Sequence, residues 1–253
     1  MSDRELQGRV ALVTGAGRDI GRAIALELAA AGAAIGVNAR LSRPEAESVV
    51  AEIEGRGGAA LVALADVTDP EAVQAMVDAM LNRFGRIDIL VNNAAVRREV
   101  PFADLDYAGW QKVLAVCLDG AFHCAKACLA PLIASGAGAI VNIGGLTGST
   151  GATHRAHVVT AKAGMIGLTR ALAHELAGEG ITVNCVSPGL IATERKDSSA
   201  SGDPAHYATS KTLVGRRGLP SDVAGAVRWL AGPAGRFVTG QIIHVNGGAY
   251  LGS

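Results

Sequence analysis

The sequence predicts an α/β fold: a doubly wound, mostly parallel sheet of about seven strands with helices on both faces. Strand-length apolar segments alternate with segments of helical periodicity along the whole 253-residue chain. Hydrophobic residues make up 49% of the chain but aromatic residues only 4%, so small aliphatic side chains must fill the core, which suits helices packed on a parallel sheet. Short turns between the elements favour parallel pairing through right-handed crossovers. We therefore expect one domain over residues 1–253.

Each element is predicted from a local pattern. The first strand is a short apolar run that ends in a glycine turn, the first helix stops at Gly32, and the second helix has a proline near its start. In chain order, the predicted elements are strand Arg9–Thr14, helix Ile20–Ala31, strand Ala34–Asn38, helix Pro44–Gly55, strand Ala59–Ala63, helix Pro70–Phe84, strand Asp88–Val91, helix Tyr107–Ile133, strand Ala139–Ile143, helix Ala156–Gly178, strand Ile181–Val186, helix Asp222–Leu230 and strand Gln241–Val245. Residues 194–215 lack periodicity, and we expect them to form a substrate lid, with an ordinary surface loop as the alternative.

The charge balance and the hydropathy exclude several classes of protein. Basic residues number 23 and acidic residues also 23, so no net field favours nucleic acid or an anionic membrane. The first ten residues are polar and charged, unlike a secretory signal. The most apolar stretch, Ile20–Val37, is interrupted by Arg22 and Glu27, so it does not predict a membrane span. We expect a cytoplasmic protein that binds neither nucleic acid nor membrane.

Two of the four cysteines, Cys124 and Cys128, lie four residues apart on one predicted helix, with His123 beside them. A metal site is conceivable there, but no second cluster of ligands has matching spacing. We therefore expect no metal and interpret these cysteines, together with Cys117 and Cys185, as small buried hydrophobic residues.

A glycine-rich turn follows the first predicted strand. Its sequence, Thr14-Gly15-Ala16-Gly17-Arg18-Asp19-Ile20-Gly21, opens directly into a helix. Glycines at such a turn let the backbone approach a pyrophosphate, and the helix N-terminus supplies N–H donors and a positive dipole. The turn therefore predicts a nucleotide site.

Together with this turn, four further segments resemble the short-chain dehydrogenase/reductase family over nearly the whole chain. Asp66-Val67 is similar to the segment whose acid contacts adenine, Asn92–Ala95 to the end of the fourth strand, Ser187–Thr193 to the nicotinamide-side loop, and 217–248 to the closing pattern. The resemblance implies a Rossmann fold and an oxidoreductase with a nicotinamide dinucleotide. The glycine turn, the resemblance and the charges near the turn together predict these cofactor-binding residues: Gly15, Gly17, Arg18, Asp19, Ile20, Gly21, Arg40, Asp66, Val67, Asn93, Ala94, Lys162, Pro188, Gly189, Ile191 and Thr193.

The end of the second predicted strand indicates which dinucleotide is bound. An NAD site usually places a carboxylate there for the ribose diol, but residues 37–40 contain no acid. Arg40 and Arg18 suit a 2′-phosphate, so we expect NADP(H) in preference to NAD(H); the alternative is that both arginines face water. Asp19 stands where the family usually has glycine. Its charge predicts weaker nucleotide binding, unless it caps the helix beside it.

The resemblance also implies four catalytic side chains, of which three are missing. In the family, a tyrosine passes the proton, a lysine four residues later lowers the pKa of the tyrosine and holds the ribose, a serine hydrogen-bonds the carbonyl oxygen, and an asparagine holds the proton-relay water. Lys162 matches the lysine. The other three positions fall on Val158, Gly145 and Cys117. Valine cannot donate a proton and glycine has no side chain, so the chemistry must differ.

Several residues are candidates to replace the missing groups. His154 and His157 flank the tyrosine position, and imidazole is a capable general acid near neutral pH; the alternative is that they face solvent. Lys162 is expected to bind the nicotinamide ribose or, if burial lowers its pKa, to act in catalysis itself. Thr147 and Thr153 could supply hydroxyl groups. Arg97 and Arg98 would either attract an anionic substrate or form a solvated pair.

Three functions are compatible with this pattern. The first is an NADP(H)-dependent oxidoreductase that acts on a small carbonyl or alcohol substrate with a non-standard proton donor. The second is a non-redox lyase, isomerase or hydrolase in the same pocket, and the third a catalytically inactive nucleotide-binding subunit. The resemblance also implies a homo-oligomer, a tetramer or a dimer, built through the helices near 107–133 and 156–178.

Overall fold

Seven parallel strands form one sheet in the computed structural model, which describes residues 4–193 and 211–252. The strands are β1 Val10–Val13, β2 Ala34–Ala39, β3 Ala60–Leu64, β4 Ile89–Asn92, β5 Ala139–Ile143, β6 Thr182–Pro188 and β7 Ile242–Val245. Their order across the sheet is β3-β2-β1-β4-β5-β6-β7, and each neighbouring pair is parallel. The predicted fold class is therefore confirmed.

Helices connect the strands and lie on both faces of the sheet. They are α1 Asp19–Ala30, α2 Arg43–Gly55, α3 Pro70–Phe84, α4 Tyr107–Leu114, α5 Gly120–Ala134, α6 Thr147–Thr150, α7 Ala156–Leu176 and α8 Pro220–Ala231. The helix α3 has the predicted bounds because both of its ends carry strong local signals. Asp69 accepts hydrogen bonds from the first-turn amides of Glu71 and Ala72, and Gly85 ends the helix with φ at 77°.

The long helix predicted over Tyr107–Ile133 is interrupted. A π-helical turn at Ala115–Asp119 separates α4 from α5. Gly120 follows it, and a Cβ there would lie 2.6 Å from Val67 Cγ2, so only glycine allows this approach. By length and composition the stretch Tyr107–Ala134 could cross a membrane, but α5 packs against α3 and the sheet as a core helix. A π-helical turn contains one residue more than an α-helical turn. Hydrophobic periodicity does not reveal this extra residue, so the sequence predicted one continuous helix.

The two faces of the sheet bury separate apolar cores. On one face, Ile24 and Leu28 of α1 pack with Val223 and Val227 of α8. On the other face, residues of α3, α5 and α7 pack together; among them are Val77, Met80, Cys124, Cys128 and Leu132. Cys124 and Cys128 are thus part of the hydrophobic core, and burial raises the pKa of Cys124 to about 12.

The strand order reverses between β2 and β4, which both pair with β1. In open α/β sheets, ligands bind in the crevice outside the carboxyl ends of the strands at such a point. Thr14 fixes this crevice: its Oγ1 accepts hydrogen bonds from the amides of Asn93 and Ala94, at 2.9 and 3.0 Å. Of the predicted substrate lid, residues 194–210 lie outside the described residues. Residues 211–215 pack against Gly247 and Gly248.

Candidate functional site

Two cavities adjoin at the carboxyl ends of the strands. The larger has a volume of about 980 Å³, at the upper end of the ~300–1,000 Å³ range typical of small-molecule and cofactor sites. The smaller has a volume of about 60 Å³. Ile20, Arg97 and Arg155 line both cavities. Every cofactor-binding residue named from the sequence lines one of the two, so the fold brings the whole predicted set together.

The glycine turn is held in a conformation that only glycine permits at two positions. Gly15 has φ at 61°, and a Cβ on Gly21 would lie 2.1 Å from the carbonyl oxygen of Gly15. Asn93 Nδ2 donates to the carbonyl oxygens of Thr14 and Gly15, at 2.9 and 3.0 Å. The tight turn lets the N-terminus of α1 border the larger cavity, where its amides and dipole favour an anion such as a phosphate.

Asp19 lies in this turn with φ at 49°, in the left-handed region that side chains other than Asn and Asp rarely adopt. It is the first residue of α1, and the N-cap position falls on Arg18, whose side chain makes no capping hydrogen bond. A left-handed φ is not helical, so Asp19 stands apart from the helical residues that follow it, and its role as a cap stays a prediction. Asp19 lines the larger cavity beside the glycines.

Arg40 and Asp66 both line the larger cavity, with Arg40 Nη1 3.7 Å from Asp66 Oδ2. Burial opposes ionisation of Asp66, but two hydrogen bonds from Thr68 and the charge of Arg40 together lower its pKa. At the end of β2 the buried polar side chain is Asn38, which accepts a hydrogen bond from the Gly15 amide at 3.1 Å and donates to the carbonyl oxygens of Ala63 and Ala65. The β2 end therefore offers an amide and a guanidinium, and no carboxylate.

Lys162 lines the smaller cavity and is 6% exposed. Its Nζ donates a hydrogen bond to the carbonyl oxygen of Ile143 at 2.7 Å. Burial lowers the pKa of Lys162, and the positive charges of Arg97 and Arg155 lower it further, against an opposite effect of Cys117. A lysine with a lowered pKa in a cleft is a candidate for proton transfer.

The positions of the missing family residues surround Lys162. Gly145 and Val158 line the same cavity, and a Cβ on Gly145 would have Lys162 Cγ as its nearest neighbour at 3.7 Å, so a side chain would fit there. Val158 packs in a small apolar cluster with Val113, Cys117 and Ala161. Cys117 lies in the π-helical turn, with its Sγ 3.6 Å from the carbonyl oxygen of Val96. This wall of the cavity is therefore apolar where the family has a tyrosine.

Neither candidate histidine lines either cavity. His154 is exposed in the loop before α7, so the helix does not extend far enough to aim its side chain at the cavity. His157 is fully buried on α7, so it is not the solvent-facing residue of the alternative interpretation. Burial lowers the pKa of His157, and the charges of Arg155 and Arg98 lower it further. Of the two candidate threonines, Thr147 lines the smaller cavity.

Arg155 is a site residue that the sequence analysis missed. It is 7% exposed and lines both cavities together with Arg97. Arg155 lies at the N-cap position of α7, three residues before Val158, with a backbone that is not helical. Arg98 lines the larger cavity only.

The chain is similar over nearly its full length to known reductases. A family model described as enoyl-(acyl carrier protein) reductase matches residues 15–250. The 3-oxoacyl-[acyl-carrier-protein] reductase FabG of Staphylococcus aureus is 39% identical over 241 residues, which are 95% of this chain and 98% of that protein. The 3-oxoacyl-[acyl-carrier-protein] reductase of Synechocystis is 40% identical over 247 residues, covering 97% and 98%.

Two solved structures share the fold closely. A dehydrogenase/reductase from Sinorhizobium meliloti superposes with a TM-score of 0.90 at 37% identity, over 98% of this chain and 97% of that chain. A short chain dehydrogenase from Burkholderia cenocepacia, solved in complex with NADP, superposes with a TM-score of 0.89 at 36% identity, over 97% and 99%. The topology of the chain is therefore that of these two structural relatives.

Proposed function

Because the chain belongs to the short-chain dehydrogenase/reductase family of oxidoreductases, we propose that it is an NADP(H)-dependent enzyme that interconverts a carbonyl and an alcohol on a small-molecule substrate. One observation carries the proposal: a continuous site runs from Arg40, at the end of β2, to the buried Lys162. The first residue suits a phosphate and the second a reacting oxygen atom.

The residues of the larger cavity fit NADP(H). The glycine turn and the N-terminus of α1 would hold the pyrophosphate, and Arg40 a 2′-phosphate, because a guanidinium fork binds phosphate oxygens in pairs. A relative of known structure was solved with NADP, which supports the same choice. When bound, the reduced nicotinamide supplies a hydride to the carbonyl carbon.

Lys162 is the residue that we assign to proton transfer. The chain has a valine where its family has the tyrosine donor, so another group must neutralise the oxygen atom that gains negative charge. The ammonium group of Lys162 has three donors, and one of them binds the Ile143 carbonyl oxygen. A second donor would protonate the carbonyl oxygen, and water would return the proton. The lowered pKa of Lys162 makes it a stronger acid than a solvated lysine.

Titration with NADPH and NADH, followed by fluorescence and melting temperature, is the first test of this function. Selective binding of NADPH, followed by its slow oxidation in the presence of carbonyl compounds, is expected. Binding without any turnover would favour an inactive nucleotide-binding subunit. Failure to bind either dinucleotide would overturn the proposal and favour a non-redox pocket.

The variant Lys162→Met tests the assignment of the proton donor. It preserves length and removes the ammonium, so we expect kcat at saturating NADPH to fall by about 10²- to 10⁴-fold, the usual contribution of a general acid. In the wild type, the rate of reduction should fall as pH rises through the lowered pKa of Lys162, because only the ammonium form donates.

Two variants complete this experiment. Lys126→Met changes an exposed lysine on α5 and should leave kcat unchanged. His154→Ala tests the competing donor: a loss of turnover in this variant, with full turnover in Lys162→Met, would assign the role to His154.

A further inference from the structure

Lys162 is a buried amine that no carboxylate neutralises. Its side chain is 6% exposed, and its Nζ makes one hydrogen bond, to the carbonyl oxygen of Ile143 at 2.7 Å. No carboxylate of the residues that the structure describes forms an ion pair with it. Lysines are almost never fully buried unless they are paired with an opposite charge. Lys162 therefore departs from the pattern of a buried lysine that serves structure alone.

The surroundings of Lys162 favour its neutral form. Burial is the main cause that lowers the pKa of Lys162, because a desolvated ammonium is less stable than a solvated one. Burial also raises the pKa of the nearby Cys185 thiol to about 11, so at neutral pH this thiol carries no charge that would hold the proton on Lys162. A neutral amine keeps its hydrogen bond to Ile143 through one N–H and has a lone pair, which makes a desolvated lysine a nucleophile.

The smaller cavity has room for a carbonyl group beside this amine. Ile143 is the last residue of β5, so its hydrogen bond holds Nζ next to Gly144 and Gly145, which both line the cavity. A Cβ on Gly145 would have Lys162 Cγ as its nearest neighbour at 3.7 Å, so the space there is open. Val158 lines the same cavity and supplies an apolar wall. The volume of about 60 Å³ accommodates about four water-sized groups, enough for a small aldehyde or ketone.

We infer that Lys162 forms a Schiff base with small aldehydes and ketones that enter the smaller cavity. The lone pair of the amine attacks the carbonyl carbon and a C–N bond forms. Both hydrogens of the amine pass, by way of water, to the carbonyl oxygen, which leaves as a water molecule when the C–O bond breaks. Nothing is oxidised or reduced in this step. The activity is therefore independent of the reduction proposed above, which uses the ammonium form of the same residue.

Reductive trapping tests the inference. The protein, without added nucleotide, is incubated at slightly acidic pH with acetaldehyde or acetone, and cyanoborohydride reduces the imine to a stable secondary amine that peptide mass spectrometry locates. We expect Lys162 to be labelled roughly tenfold faster or more than Lys126, which is exposed on α5 and stays protonated at that pH. The labelling rate of Lys162 should rise with pH and level off above its lowered pKa, because only the neutral amine attacks. Labelling of Lys162 no faster than that of Lys126 would overturn the inference.

Three variants locate the reactive amine. Lys162→Met should lose the fast label, whereas the control Lys126→Met should keep it. Gly145→Val keeps the amine and fills the space beside it, so it remains informative if Lys162→Met does not fold. We expect it to slow the labelling of Lys162 roughly tenfold, because the carbonyl compound can no longer enter. Undiminished labelling of Lys162 in Gly145→Val would show that the carbonyl does not arrive through this cavity and would overturn the inference.

The titration with NADPH separates this inference from the proposed function. Trapping at Lys162 in a protein that never oxidises NADPH would leave the Schiff base in place and overturn the reductase. Reduction of carbonyl compounds by NADPH, with no trapping at Lys162, would overturn the Schiff base and leave the reductase.

Discussion

At the scale of single residues, Asp19 combines a strained backbone with a negative charge at the predicted nucleotide site. Its backbone has φ at 49°, and its carboxylate lies on the wall of the cavity where the glycine turn would hold a pyrophosphate. Strained φ values of this kind are tolerated at functional sites when the surrounding structure fixes them, at a cost of order 1–3 kcal/mol. Here the close contacts around Gly15 and Gly21 are the surrounding structure that fixes the backbone of Asp19.

Replacement of Asp19 is expected to tighten NADPH binding. Asp19→Gly removes both the strain and the charge, whereas Asp19→Asn removes the charge and keeps a side chain that tolerates the left-handed region. We expect about fivefold tighter binding in both variants, about 1 kcal/mol, the scale of a charge–charge repulsion close to water. Calorimetric titration gives the Kd. Equal Kd values in the wild type and both variants would show that the carboxylate does not face the phosphates.

The sequence was sufficient to predict which residues line the two cavities, but not how every candidate side chain is placed. Lys162, Arg40 and the glycine turn lie where the motifs predict, because strand ends and turns fix their positions. The full burial of His157 was missed, since neighbouring histidines at the start of a helix carry no pattern that distinguishes a buried one from an exposed one. Arg155 was missed because a charged residue before a helix usually faces water.

At the scale of secondary structure, α8 begins with a charged capping arrangement that connects it to the preceding loop. Asp222, the third residue of α8, accepts a hydrogen bond from the amide of Leu219 at 2.7 Å. Arg216 donates to both oxygens of the same carboxylate, at 2.7 and 3.0 Å. The hydrogen bonds from Arg216 and then from Leu219 lower the pKa of Asp222 to about 2.

This arrangement predicts a pH-dependent contribution to stability. The folded state binds fewer protons at Asp222 than the unfolded state between pH of about 2 and the ordinary value of 3.8. Stability from this carboxylate is therefore present above pH of about 4 and is lost as the pH falls to about 2. Asp222→Asn should lower the melting temperature at neutral pH, and the difference from the wild type should disappear over that window.

The exposed carboxylate of Asp104 provides the control for this experiment. Asp104→Asn should have the melting temperature of the wild type across the same pH range. A difference between wild type and Asp222→Asn that persists unchanged at pH 2 would show that the variant acts through packing rather than through charge.

The predicted boundaries of the elements were most accurate where the chain carries a chemical stop signal. The strand β5 and the helix α3 match the prediction at both ends, and α3 lies between a capping aspartate and a left-handed glycine. The π turn at Ala115–Asp119 has no comparable signal, because it depends on the approach of Gly120 to Val67 from another part of the fold.

At the scale of the whole molecule, we propose that the chain forms a homo-oligomer, a tetramer or a dimer, through α5 and α7. Of the small residues on α5 and α7, Ala121, Ala125 and Ala161 are buried within the chain, but Ala163 is exposed. Ala163 and Gly167 lie one turn apart on the exposed face of α7. Phe122 of α5 is 52% exposed, which also favours burial against a second copy.

Gly167 allows a clean test of this interface, because a Cβ there would meet nothing within 4 Å in a single chain. Gly167→Arg should fold normally and dissociate the oligomer, as measured by light scattering after size exclusion. Gly167→Ala is the control: it should keep the oligomer and stabilise the helix by about 1 kcal/mol. An oligomer that survives the arginine would exclude this face of α7 from the interface.

The burial of all four cysteines has a practical consequence for labelling. Only the thiolate form of a cysteine reacts readily, and with a pKa of about 12 the Cys124 thiol is ionised in roughly one molecule in 10⁴ at pH 8. Cys128 and Cys185 have raised pKa values for the same reason, and Cys117 is 1% exposed. A fluorophore or spin label can therefore be directed to one engineered surface cysteine while the native thiols stay in place.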